Sequence, residues 1–203
     1  MRIGLLGDVH QEDLALAWAL GVFQEQDVDL VVCVGDIADG AGDLDICCEL
    51  LESHGVLTVR GNHDRWFLAH EMRDLPEAAA PTAASPASRQ WLAELPVTID
   101  LDTPQGLALL CHGMGLSDMT GLAPDDTGYA LESNLHLQQL LSEDRYRIVV
   151  CGHTHQPMQR TIGSLTIVNA GTLHRSYQPS VSVFDLNRSH TDFIPIPSSL
   201  ARA

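Results

Sequence analysis

Five apolar runs in this chain each stop at a residue that can bind a metal ion or move a proton. They are Leu5-Leu6-Gly7-Asp8, Val32-Cys33-Val34-Gly35-Asp36, Val56 to Gly61-Asn62, Leu109-Leu110-Cys111-His112 and Val149-Val150-Cys151-Gly152-His153. In four of them a glycine directly precedes the polar residue. Short runs that are apolar at every position read as strands covered on both faces, the mark of parallel sheet in an α/β protein. Parallel strands share a carboxyl-terminal edge, and ligands bind at that edge in open α/β sheets. The pattern therefore fixes a fold class and gathers the candidate site at one place.

The segments between these runs fit that class. Leu14, Ala17, Trp18 and Val22 recur at helical spacing within a helix over about residues 12–26. Asp43 is positioned to cap a second helix that stops at Gly55. Residues 66–94 read as helical at both ends, with an Ala/Pro/Ser-rich excursion over 75–88 that is a surface loop or a substrate lid. Val97–Leu101 and Leu107–Cys111 read as a hairpin, and Leu131–Ser142 as a helix with Leu137, Leu140 and Leu141 facing inward. Three short strands, 165–168, 180–186 and 191–196, read as a second sheet packed on the first.

A chain of 203 residues with 45% apolar and 5% aromatic content supports one aliphatic-cored domain spanning 1–203. A net charge of −16 argues against a nucleic-acid-binding surface and against an anionic membrane surface, since both are held by Lys and Arg. The five cysteines lack CxxC spacing and read as reduced core residues, which places the chain in the cytoplasm. The apolar start is too short for a signal segment.

His10 and His155 each lie two residues past a run-ending ligand, on the same side of an extended segment. The candidate metal ligands are thus Asp8, His10, Asp36, Asn62, His112, His153 and His155. Nitrogen and oxygen donors without thiolate suit Mn, Fe, Co, Ni or Zn better than Ca or Mg. Seven donors exceed what one tetrahedral ion needs, so two divalent ions sharing a carboxylate are expected, a geometry that clamps both oxygens of a phosphoryl displacement. Two carboxylates against two divalent ions leave the site positive, so an acidic protein can still hold an anionic phosphate.

Asp8-Val9-His10, Gly35-Asp36-Ile37-Ala38-Asp39, Gly61-Asn62-His63-Asp64, His112-Gly113 and Gly152-His153-Thr154-His155 together, in this order, resemble the calcineurin-like metallophosphoesterase superfamily, in its small bacterial and archaeal phosphodiesterase branch. The resemblance implies a two-sheet αββα sandwich with a dinuclear centre. Asp8, His10 and His155 would hold one ion and Asn62, His112 and His153 the other, with Asp36 bridging. His63 would assist the leaving oxygen, oriented by Asp64, while a metal-held hydroxide attacks phosphorus in line. The implied activity is that of a metal-dependent phosphoesterase, foremost a phosphodiesterase, with Mn the foremost metal and a small phosphate ester as substrate.

Arg65, His174 and Arg175 are candidates for holding substrate phosphate. Asp39 reads as a partner of a ligand or a helix-start residue. Gly40 after Asp39, and Asp64 where protein phosphatases carry glutamate, argue against a phosphoprotein substrate. Asn169-Ala170-Gly171-Thr172 stands where the branch often has Asn-Pro-Gly-Ser. The alternatives are a phosphomonoesterase or protein phosphatase, a metal-binding scaffold of the same fold without catalysis, and a DNA-processing nuclease.

Overall fold

The computed structural model describes residues 1–200, so the last three residues of the expected 1–203 span lie outside the described residues. In chain order the elements are β1 (Arg2–Leu6), α1 (Asp13–Glu25), β2 (Leu30–Cys33), α2 (Leu44–Ser53), β3 (Leu57–Thr58), α3 (Asn62–Ala69), α4 (Pro86–Glu94), β4 (Thr98–Thr103), β5 (Gly106–Cys111), α5 (Tyr129–Ser133), α6 (Leu135–Glu143), β6 (Ile148–Cys151), β7 (Met158–Ile162), β8 (Leu165–Asn169), β9 (Ser180–Asp185) and β10 (His190–Pro195). A 3-10 turn, Ser198–Leu200, follows. The strands form two five-stranded sheets, β10-β9-β1-β2-β3 and β4-β5-β6-β8-β7. The centre of each is parallel: β1, β2 and β3 in the first, β5, β6 and β8 in the second.

Strand alternation explains the three layers of packing. Leu5, Val32 and Val34 from the first sheet meet Leu110, Val150 and Val168 from the second in a core between the sheets. Their neighbours Leu6 and Cys33 face outward under Leu16, Leu20 and Leu51 of α1 and α2. Leu109, Cys111 and Val149 face outward under Leu137 and Leu140 of α6. Central strands are thus covered on both sides, which is why they read as unbroken apolar runs. The result is an αββα sandwich.

Three expectations are corrected, and one strand goes unmarked by the sequence pattern. The ligand-bearing strands do not share one sheet edge; they come from two facing sheets whose parallel centres end on the same side. The tail strands are not a sheet of their own: β8 joins the second sheet beside β6, while β9 pairs antiparallel with the free edge of β1 and carries β10. β7 escapes detection because it is an edge strand with a polar centre, Gln159-Arg160-Thr161, so no apolar alternation marks it. Finally, the helix expected over Leu131–Ser142 is broken at Asn134, whose side-chain oxygen accepts from the Leu137 N–H at 3.0 Å and whose amide nitrogen donates to the Gly121 carbonyl at 3.1 Å. The Asp43 cap is present, its carboxylate accepting from the Ile46 N–H at 3.1 Å.

Leu110 has no solvent exposure and packs between the sheets. Leu110→Ala is expected to lower unfolding stability by about 2–5 kcal/mol in urea denaturation. A cost below ~1 kcal/mol would contradict a tightly packed seam there.

Candidate metal centre

The seven donors converge at the carboxyl ends of β1, β2, β5 and β6 and at the start of α3. Asp8, His10, Asp36 and His155 each offer a ligand atom within 4.8 Å of the others. A second group lies against them. The Asn62 side-chain oxygen is 2.9 Å from His112 Nε2 and 2.9 Å from His153 Nδ1, and His112 Nε2 is 3.3 Å from Asp36 Oδ2. Asp36 is the carboxylate common to both groups.

Backbone groups set the imidazoles for metal binding. His10 Nδ1 donates to the Asp39 carbonyl at 2.7 Å, and His112 Nδ1 donates to the Val34 carbonyl at 2.7 Å. Each bond fixes the tautomer and turns the Nε2 lone pair inward, the arrangement typical of ligating histidines. His10 Nε2 lies 3.2 Å from His155 Nε2. Asp8 accepts from the His153 N–H at 3.0 Å through Oδ1, while its Oδ2 is buried without a hydrogen bond among the described residues. A fully buried carboxylate oxygen with no donor is costly unless a cation meets it. The donor set and this orphaned oxygen both fit a divalent ion. The Asn62 amide follows the same logic: with a cation present its oxygen faces the rings, whereas without one its NH2 could donate to both.

The glycines before the ligands answer to close approach. A side chain at Gly61 would collide with the Asp36 carboxylate, and a Cβ at Gly152 would lie 2.9 Å from Asp8 Oδ2. Left-handed backbone is also concentrated here: His10 (φ 45°), Asp36 (φ 49°), Asp39 (φ 65°), His153 (φ 68°) and His155 (φ 58°). Each such residue costs about 1–3 kcal/mol, and strain of this kind gathers at functional sites. The Asn169–Thr172 run ties the two ligand loops together. Asn169 Nδ2 donates to the Gly152 carbonyl at 2.8 Å, and Thr172 Oγ1 donates to the Asp8 carbonyl at 2.8 Å.

Asn62 does not end a strand. It opens α3, because the Asp64 carboxylate accepts from the Gly61, Ile37 and Ala38 N–H groups at 2.8–2.9 Å and so caps the helix. Asp64 is therefore not the group that orients His63. That group is Asp39, whose Oδ2 accepts from His63 Nδ1 at 2.8 Å. The His63 ring stands 4.9 Å from the His10 ring and 4.9 Å from that of Trp66. Of the candidate phosphate holders, His174 reaches the cluster, with its ring 4.9 Å from His10 and its Nε2 3.0 Å from Glu77. Arg65 is paired with Asp118 at 2.6 Å and Arg175 with the buried Glu12 at 2.7 Å. Asp39, read from the sequence as a ligand's partner or a helix-start residue, is thus the partner of His63, whereas Glu12 and Asp118 carry no signature in the sequence, since isolated acidic residues outside strand ends look like surface charge. Cys111 and Cys151 pack on the outer face of their sheet, away from the donors.

Protein charges alone leave the cluster internally strained. Burial above all, aided by the Asp36 charge, pushes the Asp8 carboxyl up to about 7. Burial would also raise Asp36, but His112 and His10 hold it well below the usual carboxylate range. Burial depresses His112, yet Asp36 and Asp8 outweigh it and carry the imidazolium up to about 10. His10 falls to about 4 and His155 to about 3, chiefly through burial.

The sequence profile of the calcineurin-like phosphoesterase superfamily domain matches residues 1–189. The chain belongs to this superfamily. Among solved structures, a metallophosphoesterase from Sphaerobacter thermophilus is 20% identical, covers 97% of this chain and 89% of its own, and superposes with a TM-score of 0.72. A putative diadenosine tetraphosphatase is 21% identical over 96% of this chain and 93% of its own, with a TM-score of 0.63. An archaeal phosphodiesterase is 14% identical over 96% and 99%, also at 0.63. These likenesses establish the shared fold. A search of curated proteins found no match. The superfamily is metal-dependent, and the Asp/His cluster supplies the corresponding donors here.

A raised folded pKa means that stability linked to a group is fully present below its unfolded pKa and lost as pH rises through the folded one. For Asp8 that loss runs from its ordinary value of 3.8 up to about 7, and for His112 from 6.5 up to about 10. Ions held by these groups need Asp8 ionised and His112 Nε2 without its proton, so their binding must release protons and tighten as pH rises. Titration calorimetry with Mn2+ at about pH 6 and about pH 8 is expected to show stronger binding at the higher pH, with proton release detectable from buffer ionisation heats. Affinity independent of pH would contradict this electrostatic picture.

Proposed function

We propose that this superfamily member is a dinuclear metal-dependent phosphoesterase that acts by preference on a phosphate diester. The observation that supports this most is the convergence of seven nitrogen and oxygen donors into two groups sharing Asp36, with a buried Asp8 oxygen left for a cation. Asp8, His10, Asp36 and His155 would hold one ion, and Asn62, His112, His153 and Asp36 the other. Bound there, divalent ions supply Lewis acidity, charge neutralisation and a nucleophile at neutral pH. Manganese is the metal proposed, with Fe, Co, Ni and Zn compatible with the same donors.

The chain's own groups account for the remaining chemistry. The His63 N–H donates to Asp36 Oδ1 at 2.8 Å, holding the shared carboxylate and the start of α3 in register. Asp39 keeps the proton on His63 Nδ1 and leaves Nε2 available toward the reacting ester. Burial lowers the His63 pKa, but the Asp39 bond and the Asp36 charge more than offset this and raise it. The raised pKa favours the protonated ring, the form that could give a proton to a leaving oxygen. Arg65 and Arg175 beside the site are paired with carboxylates, so side chains offer little extra positive charge to a doubly charged monoester. That favours the singly charged diester, as does the name of the archaeal phosphodiesterase sharing the fold. The complete donor set argues against a scaffold that has lost catalysis. Among the described residues no helix is long and apolar enough to cross a membrane. The five cysteines are free and buried, in keeping with the reducing cytoplasm proposed for the chain.

The test is turnover of bis(nitrophenyl) phosphate, nitrophenyl phosphate and cyclic nucleotides by Mn2+-loaded protein, before and after chelation. Chelator-sensitive hydrolysis with the diester favoured is expected; undiminished hydrolysis after metal removal would overturn the reading. Asp36→Asn should lose activity and metal content together. His63→Ala should keep its metal and lose about 10²-fold or more in kcat, the scale of one general acid.

A further inference from the structure

Residues 71–85 contain no helix or strand, yet they are stitched to the site at two points. Arg73 makes the first. Its Nη1 and Nη2 donate to the two oxygens of Asp39, each at 2.8 Å, and its Nε donates to the Glu71 carbonyl at 2.6 Å. Nη1 also reaches the Ala79 carbonyl at 3.3 Å, while the Ala79 N–H donates to Asp39 Oδ1 at 2.9 Å. The guanidinium thus closes the loop from Glu71 to Ala79 on itself and clamps it onto Asp39. The second stitch is Glu77, which pairs with His174, whose ring stands 4.9 Å from that of His10. His70, Met72 and Glu77 all have left-handed backbone, a conformation that such residues keep only when held.

Asp39 is 3% exposed and accepts four bonds, two on each oxygen: Arg73 and Ala79 on Oδ1, Arg73 and His63 on Oδ2. The fork geometry of a bidentate guanidinium fixes the plane of the carboxylate. The plane of the carboxylate in turn fixes the direction in which His63 Nδ1 must point. We propose that Arg73 is a positioning residue, acting through Asp39 to hold the His63 imidazole at the angle its proton transfer requires, and that the loop over residues 71–85, which leads into the Ala/Pro/Ser-rich excursion, is the strap that carries it. The proposal rests on the reading of His63 as proton donor to the leaving oxygen. It assigns the loop a task in catalysis without contact with substrate. A lysine cannot substitute, because one ammonium cannot occupy both carboxylate oxygens in a plane.

Leaving-group dependence separates positioning from mere support. An ester that leaves as nitrophenolate needs little protonation, whereas an alkyl ester needs a well-aimed acid. Arg73→Met and Arg73→Lys, checked for native circular dichroism and full Mn2+ content, are expected to lower kcat for a dialkyl phosphate diester by about ten- to a hundredfold. Turnover of bis(nitrophenyl) phosphate should fall less than about threefold, and KM should hold for both esters. Equal losses on both esters would overturn the proposal. A second reading needs no turnover. The His63 Nδ1–H proton, assigned by its absence in His63→Gln, should give a downfield, slowly exchanging imidazole resonance in the wild-type protein and lose it in Arg73→Met. Persistence of that resonance unchanged in Arg73→Met would equally overturn the proposal. If the wild-type protein cleaves neither ester, the phosphoesterase reading fails while the resonance still decides whether Arg73 positions His63.

Discussion

Two like charges are buried together in this protein, and the rest of the structure accommodates that fact. Asp8 and Asp36 are at most 1% exposed. Carboxylates taken from water cost several kcal/mol each unless they are met by opposite charge and hydrogen bonds. The fold meets part of the demand with the His153 N–H on Asp8, the His63 N–H on Asp36 and the His112 ring between them. One oxygen of Asp8 is left over. The left-handed backbone of His10, Asp36, His153 and His155 lies in the loops that bring these ligand atoms together around Asp8. A packed hydrophobic centre on both sides of each sheet supplies the stability that such strain consumes.

Sequence carried the site further than it carried the topology. The ligands stand at the ends of apolar runs, and burial on both faces makes those runs conspicuous, so Asp8, Asp36, His112 and His153 were visible as a set. Which sheet each strand joined was not visible, because parallel central strands of either sheet have the same composition. Hence the tail strands β8, β9 and β10 read as one second sheet, although β8 pairs with β6 and β9 with the free edge of β1. The polar edge strand β7 had no periodicity to find. Asn62 was placed at a strand end because Val56–Val59 is β-branched. The Asp64 carboxylate, bonded to three backbone N–H groups, starts a helix there instead.

The residues that serve the ligands were harder to read than the ligands. Asp39 and Asp64 lie in similar local sequence, four residues past Gly35 and three past Gly61. Only the three-dimensional arrangement shows that Asp64 braces backbone while Asp39 holds a side chain. Arg65 and Arg175 look like phosphate binders by type, but their carboxylate partners Asp118 and Glu12 are 53 and 163 residues away in sequence. Pairings at such separations leave no local trace. An acidic protein can nonetheless present a positive centre, because the local field is set by what the buried donors hold and not by net charge.

The donors are divided between the two layers of the sandwich. His10 follows β1 in one sheet, and His155 follows β6 in the other, 145 residues further along the chain. A cation shared by them would act as a rivet through the seam, joining layers otherwise held by aliphatic contact. Slippage of one layer past the other and release of the ion then become a single equilibrium, so the breathing of the sandwich is governed by the same few atoms as its chemistry.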